Sequence, residues 1–192
     1  MRVSLVSVAL AAAWMCSAHA AWEMDVPSEC GMETRLRVGV PAFDGEPQPD
    51  GSVIPRVPDG KHAIESGNPN LPFLLRMIPV PRNCVAQIEI TRLIHVETNS
   101  PPITPVPTRE LQETEDGRRS VKETLIPRGP GFERNGFWPV EPLEISYAAQ
   151  GTQRWARIVF HPLQYNPVQG MLRWNKSIEA RLVWNEQKLG SE

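Results

Sequence analysis

Proline is the feature that most limits what this chain can fold into. It accounts for 20 of the 192 residues, about twice the usual share of roughly 5%. Because a proline in a helix interior costs about 3 kcal/mol, a mainly helical fold is excluded. Apolar residues make up 41% of the chain, which is enough for a core. The net charge of −2 argues against a nucleic-acid or anionic-membrane partner, because phosphate binding needs a basic surface. The composition predicts one folded domain rich in strands and rigid turns.

Residues 1–20 have the pattern of an export signal. An apolar run from Val3 to Met15 follows a single arginine, and Ala18-His19-Ala20 is a small-x-small cleavage site. The run is too short to cross a bilayer, which takes about 20 residues. We therefore expect cleavage after Ala20 and a secreted, periplasmic or cell-surface protein without a membrane span.

The rest of the chain is predicted to form one domain over residues 21–185 and a polar tail over residues 186–192. Two cysteines remain in it, Cys30 and Cys84. In an exported protein, two cysteines most simply form one disulfide, which typically stabilises a fold by about 2–4 kcal/mol. Two buried free thiols are the alternative.

Alternation of apolar and polar residues predicts the strands. The segments with this pattern, or with a short apolar run, are 36–40, 73–80, 83–96, 143–147, 155–160 and 178–184. In the longest of them we place Ile94 and Val96 on the same face as Ile88 and Ile90, with a bulge or strand end at Arg92. Residues 42–58, 97–134 and 161–170 are predicted to be exposed loops or turns. The prediction is an all-β fold, an antiparallel β-sandwich or open barrel with long proline-rich loops.

The sequence contains none of the usual catalytic or ligand-binding motifs. No HExxH, CxxC or glycine-rich phosphate loop occurs, so we expect no catalytic residues, no metal site and no cofactor. Two alternatives remain open. One is a cysteine hydrolase that uses Cys84 with a histidine. The other is an extracellular adhesion or carbohydrate-binding β-sandwich that uses Trp138 and Trp174, whose context resembles turns.

Two short motifs and their order resemble a known family. The first is Gly67-Asn68-Pro69-Asn70-Leu71-Pro72, a G-x-P-x-L-P segment ahead of a strand, and the second is Gln164-Tyr165-Asn166-Pro167, ahead of the last strand. Between them lie a long alternating strand, a proline-rich break and Phe137-Trp138-Pro139. In order and spacing, this pattern resembles the propeptide domain of gingipain-type cysteine peptidases.

The resemblance implies a non-catalytic β-domain that keeps a caspase-like cysteine peptidase domain latent and assists its folding, in cis or in trans. It also implies that a long loop presents a basic residue to the primary specificity pocket of the peptidase. The candidates are Arg109, Arg118, Arg119 and Arg128, of which Arg118 and Arg119 are preferred; simple solvated charges are the alternative. No catalytic domain occurs within these 192 residues, so we expect either a fragment or a free-standing domain.

Overall fold

The computed structural model describes residues 19–62, 65–113, 118–124 and 128–186. The predicted export signal lies outside these residues except for His19 and Ala20, and residues 187–192 of the predicted tail lie outside them as well. In chain order the strands are β1 (Ala21–Met24), β2 (Glu33–Gly39), β3 (Asp44–Pro47), β4 (Val53–Arg56), β5 (Lys61–His62), β6 (Pro72–Val80), β7 (Cys84–Asn99), β8 (Thr108–Glu113), β9 (Arg119–Thr124), β10 (Leu143–Gln150), β11 (Gln153–Phe160), β12 (Leu163–Asn166) and β13 (Met171–Glu186).

Two antiparallel sheets make up the body of the domain. In the first sheet, β13 pairs with β7 along its whole length. On its other side, β13 pairs first with β12 and, further along, with β2. The strand β1 pairs with β2. The second sheet has the order β10-β11-β6-β5. The strands β3 and β4, and the strands β8 and β9, form separate two-stranded ribbons.

The core consists of the apolar faces of the two sheets. In β2 every second residue is buried, from Thr34 to Val38, and in β13 every second residue from Ile178 to Trp184 is buried. The second sheet contributes the buried face of β11, which includes Phe160. Successive side chains of a strand point to opposite faces, so a strand with one buried face has buried and exposed residues in alternation. The predicted all-β class is confirmed.

The long strand β7 differs from the prediction in the direction of its side chains. Thr91 is an extra residue between two consecutive pairs with β13, so the bulge expected at Arg92 is present. A bulge reverses the alternation that follows it. Leu93 therefore lies opposite a buried residue of β13, while Ile94 and Val96 are more than 40% exposed. Their predicted place on the core face was wrong.

Besides residues 97–134, which are described below, two other segments predicted as loops or turns contain strands. Residues 42–58 include the β3–β4 ribbon, and Val57 just after it is buried. Residues 161–170 include β12, all four residues of which are buried. Neither segment shows period-2 alternation of apolar residues, because β12 is buried on both faces and β3 is exposed on both.

Cys30 and Cys84 form a disulfide, with their α-carbons 5.6 Å apart. The bond closes a loop of 54 residues and joins the segment ahead of β2 to the start of β7. Cys84 is fully buried.

Removing this disulfide is expected to lower the free energy of unfolding by about 2–4 kcal/mol, mainly because the unfolded chain regains the freedom of the long loop. The measurement is urea unfolding of Cys30→Ser/Cys84→Ser against the oxidised protein. Reduction of the unaltered protein by dithiothreitol serves as the control. Equal stability of the oxidised and double-serine proteins would contradict the prediction.

Candidate functional site

The strands β8 and β9 form a two-stranded ribbon that projects from the domain. They pair from Thr108 opposite Thr124 to Glu113 opposite Arg119. Six residues in each strand give a ribbon about 20 Å long. Every residue of the ribbon except Thr108 is exposed, so it has no part in the core. This ribbon replaces most of the charged loop predicted within residues 97–134.

The two faces of the ribbon differ in chemistry. Opposed residues share a face, so one face carries the pairs Arg109–Glu123, Leu111–Val121 and Glu113–Arg119. The Arg109 Nε atom lies 2.8 Å from the Glu123 Oε1 atom. Leu111 is 75% exposed and Val121 57% exposed. The other face carries hydroxyl, amide and charged side chains only: Thr108, Thr124, Glu110, Lys122, Gln112 and Ser120.

The segment that enters the ribbon is held by the first sequence motif. The backbone nitrogens of Gly67 and Val106 donate to the carbonyls of Val106 and Asn68 respectively, both at 2.8 Å. The nitrogen of Asn70 donates to the carbonyl of Thr104 at 2.9 Å. Ile103, Thr104 and Val106 are buried, so this part of the predicted loop belongs to the packed body.

The segment that leaves the ribbon returns to the same motif. The nitrogen of Gly129 donates to the Gly67 carbonyl at 2.8 Å, and the nitrogen of Gly131 donates to Asn68 Oδ1 at 3.0 Å. We call residues 67–70 the socket, because both legs of the ribbon are bonded to it. Gly67 has a φ of +86°, a conformation that glycine adopts without strain. Further along the motif, Leu71 is buried and Pro72 begins β6.

Gly131 is packed so closely on the socket that a larger residue has no room. A β-carbon added there would lie 2.8 Å from Pro69 Cδ and 2.9 Å from Asn68 Oδ1. Asn68 belongs to the first sequence motif, whereas Gly129 and Gly131 lie outside both motifs; the Gly-Pro-Gly run at 129–131 is the sequence signal that marks a turn there.

The substitution Gly131→Ala is expected to destabilise the domain by about 1–3 kcal/mol, because the added methyl overpacks a buried site. Urea unfolding measures this. Gly136→Ala is the matched control, since a β-carbon there would have no atom nearer than 3.6 Å and that atom belongs to the flexible side chain of Arg134. Equal loss of stability in both variants would contradict the close fit at Gly131.

The second motif fixes the segment that follows the ribbon. Gln164 Nε2 donates to the carbonyls of Pro139 and Val140 at 2.6 and 3.0 Å. Tyr165 and Trp138 exchange two backbone hydrogen bonds at 2.8 and 2.9 Å. Burial raises the pKa of the Tyr165 hydroxyl, and the nearby charge of Arg128 and a hydrogen bond with the Ile103 backbone oppose this shift.

The polar residues of the second motif are buried but paired. Asn166 Oδ1 accepts from the nitrogens of Val168 and Gln169, both at 3.2 Å, across the turn that contains Pro167. Asn175 Nδ2 donates to Gln164 Oε1 at 3.0 Å. These hydrogen bonds explain how a polar strand can be buried.

The four arginines proposed from the resemblance lie at different places. Arg109 is at the root of the ribbon and is paired with Glu123, and Arg128 is on the leaving segment, with its guanidinium 5.1 Å from the centre of the Phe132 ring. Arg118 and Arg119 lie at the far end, and both are exposed. Four residues of β8 separate Arg109 from the end of that strand, which is about 13 Å. The structure thus separates two root arginines from two distal ones.

A cavity of about 740 Å³ adjoins the root of the ribbon, and His62, Asn70, Arg109 and Glu123 are among the residues that line it. The His62 Nδ1 atom lies 2.9 Å from Asn70 Oδ1. The pKa of His62 is lowered from 6.5, first by burial and further by the charges of Arg56 and Arg109. The Asn70 hydrogen bond and the charge of Glu46 oppose this shift.

The lowered pKa of His62 predicts a loss of stability in acid. The unfolded chain binds a proton at this histidine more readily than the folded chain does. The contribution of His62 to the free energy of unfolding is therefore fully present above about pH 6.5, the pKa of the histidine in the unfolded chain. It is lost as the pH falls from there towards the lower pKa of the folded chain. Urea unfolding of the protein and of His62→Gln from pH 7.5 to 5 measures it. As the pH falls, the free energy of unfolding of the unaltered protein should decrease relative to that of His62→Gln. A difference between the two that stays constant with pH would contradict a lowered pKa of His62.

The structure bears on both alternatives kept open above. The sulfur of Cys84 is bonded to Cys30, so it offers no thiolate for catalysis. The Trp174 ring is partly buried, meets Phe43 edge to face at 5.3 Å and has Lys176 Nζ 4.6 Å from its centre, so a cation of the chain itself already lies over one of its faces. Trp138 packs against the core, with Gly131 close to its ring.

The part of the chain that the structure describes has neither a cluster of metal ligands nor an apolar helix of membrane-spanning length. No group of three or more histidine, cysteine, aspartate or glutamate side chains there could hold a metal ion. In the same residues, no helix has the length and apolar character needed to cross a membrane.

Comparison with known proteins finds a matching family model and solved structures of similar fold, two of which are described here. The family model Propeptide_C25 matches residues 28–191. The complex of the RgpB pro- and mature domains of Porphyromonas gingivalis is similar in fold, with a TM-score of 0.67, 21% identity and coverage of 91% of this chain and 88% of the other. A structure of gingipain K from the same organism, which addresses zymogenic latency, has a TM-score of 0.64, 14% identity and coverage of 88% and 99%. No curated protein matches the chain.

Proposed function

The chain belongs to the Propeptide_C25 family, and from that premise we propose that it holds a gingipain-type cysteine peptidase latent and assists its folding. Membership makes it a non-catalytic propeptide domain. Its partner under this proposal is a caspase-like catalytic domain. The two similar structures are titled as a pro- and mature-domain complex and as a study of zymogenic latency, which supports the same role here.

One observation carries the proposal, namely the exposed ribbon with arginines at its far end. A strand pair without core contacts is marginal by itself in water, so it is suited to completing its packing on another protein. Arg118 and Arg119 are the residues we assign to the specificity pocket of the peptidase. A guanidinium there can pair with a carboxylate through two parallel hydrogen bonds, which makes recognition strong and specific.

The socket supplies the rigidity that such a plug needs. Both legs of the ribbon are bonded to residues 67–70, and the entering leg is buried. A fixed base lowers the entropy lost when the arginine is placed in a cleft. We propose that the domain acts outside the cytoplasm after cleavage of the predicted signal at Ala20, whether it is joined to its peptidase or separate from it.

The test is to mix the purified chain with the caspase-like catalytic domain encoded nearest to it. Residual activity is measured with a fluorogenic peptide that ends in arginine. The proposal expects inhibition at roughly micromolar concentration or below. A second arm measures how much active peptidase is recovered when the catalytic domain refolds with and without the chain. If the chain neither inhibits the peptidase nor improves the recovery of active enzyme, the proposal is overturned.

A further inference from the structure

The apolar pair Leu111–Val121 is a second point of interest on the ribbon. Its two residues lie directly opposite each other on one face, and Leu111 is the most exposed large apolar side chain in the described part of the chain. The pair packs on no other part of the domain, because the whole of β9 and all of β8 after its first residue are exposed. Its exposure thus has no explanation within the fold.

The register of the ribbon places this pair on the same face as Arg119. Residues two apart in a strand point to the same side, so Arg119 and Val121 share a face, and Leu111 joins them as the partner of Val121. The distance along the strand from Arg119 to Val121 is about 7 Å. A surface that receives the Arg119 side chain is therefore close enough to receive the apolar pair as well.

We propose that Leu111 and Val121 pack on an apolar surface at the rim of the peptidase cleft, and that Arg119 is the arginine that enters it. This inference rests on the function proposed above and adds the side of the ribbon that faces the enzyme. The other face, with only polar side chains, stays in water. The arrangement is a central apolar contact beside a buried cation, the combination that typically dominates the energy of an interface.

The root of the ribbon fits this orientation. On the same face, Arg109 and Glu123 neutralise each other at 2.8 Å, so no net charge is introduced next to the apolar pair. Glu113 lies opposite Arg119 at the far end. From the root of the ribbon to its tip, this face therefore presents a neutralised ion pair, an apolar pair and then the cation Arg119 beside Glu113. We expect that order to fit a cleft whose rim is apolar and whose pocket is acidic.

The decisive variant is Leu111→Thr/Val121→Thr, because threonine keeps the preference for strands and removes most of the apolar surface. The matched control is Gln112→Thr/Ser120→Thr, which places the same residues at an opposed pair on the other face. Both variants are checked for an unchanged unfolding midpoint. The inhibition constant against the catalytic domain is then measured for the two variants and the unaltered chain.

The inference expects the apolar-face variant to inhibit roughly tenfold more weakly or worse, and the control to stay within about twofold. Hydrogen exchange of the unaltered complex, made with an inactivated catalytic domain, should slow at the amides of β8 and β9. Unaltered inhibition by the apolar-face variant, beside full inhibition by the unaltered chain, overturns the inference and leaves the proposed function standing.

Two other results also decide the matter. If the unaltered chain neither inhibits nor assists folding, the proposed function fails and the inference falls with it. Size-exclusion chromatography of the chain alone examines self-association at the same concentrations. A dimer that is lost in the apolar-face variant while inhibition is retained would assign the pair to a contact between copies, and it would overturn the inference.

Discussion

Replacing Arg118 and Arg119 together by alanine is expected to weaken inhibition by roughly thirtyfold to a few thousandfold. The physical reason is that an arginine in a specificity pocket is desolvated and paired with a carboxylate, and removal of one partner of such a pair leaves the other charge buried and alone. Losses of about 2–5 kcal/mol are usual in that situation, and each 1.4 kcal/mol is a factor of ten. The measurement is the inhibition constant against the catalytic domain with an arginine-ending peptide substrate.

The chain offers a control for charge alone in Arg109→Ala/Arg128→Ala. Those two arginines lie at the root and on the leaving segment, so their loss changes the net charge equally but removes nothing from the far end. Inhibition by this control is expected to change by less than about tenfold. Equal losses in both double variants would assign the effect to charge and would contradict a plug at the tip.

Single substitutions separate the two distal arginines. Arg119 shares its face with the exposed apolar pair, so Arg119→Ala should account for most of the loss and Arg118→Ala for little of it. All of these positions are exposed, and substitutions there are expected to change the free energy of unfolding by no more than about 0.5 kcal/mol.

Trp184→Ala is expected to cause the largest loss of stability, roughly 3–5 kcal/mol. Trp184 is completely buried in the core between the sheets, and its Nε1 atom donates to Thr34 Oγ1 at 2.8 Å. The variant leaves a cavity and a buried hydroxyl that has lost its partner. Since domains have net stabilities of about 5–15 kcal/mol, the variant is expected to lose about a fifth of the total or more.

Trp155→Ala is the matched control, because Trp155 is the same residue type on the outward face of β11 and is only half-buried. Trp155→Ala should lower the free energy of unfolding clearly less than Trp184→Ala does. Trp184→Phe isolates the hydrogen bond, since it retains most of the apolar volume. Urea unfolding gives all three values, and a smaller effect at Trp184 than at Trp155 would contradict the description of the core.

The strands predicted from the sequence are those with one solvent-exposed face and one buried face. β2, β10, β11 and the second half of β13 alternate clearly, because only one side of each meets the core. β12 did not show this signal, since it is buried on both sides and its polar side chains are satisfied by Pro139, Val140 and Asn175. In β7 the interruption at Arg92 indicated the bulge, but the apolar residues on both sides of it continue one period-2 pattern, so the sequence did not show that the side chains beyond Thr91 reverse direction.

The candidate site was predicted as a region, and its architecture was not. The charged stretch around Arg118 indicated exposure, but a ribbon exposed on both faces has no period-2 signal to distinguish it from a loop. The role of residues 67–70 as a socket also escaped prediction. It depends on hydrogen bonds to residues about 40 and 60 positions away, which local sequence does not encode.

The place of β13 in the first sheet has a consequence for how the protein is made. β2 and β7 are synthesised long before residues 171–186, and both pair with that strand. Until it emerges, their edges are open and the apolar residues beside them are exposed to water and to other chains. Pairing across such sequence distances is slow, and open edges favour aggregation. A nascent chain that stops after residue 170 therefore lacks the strand that joins its sheet, and the interval before β13 arrives is when a chaperone would protect it most.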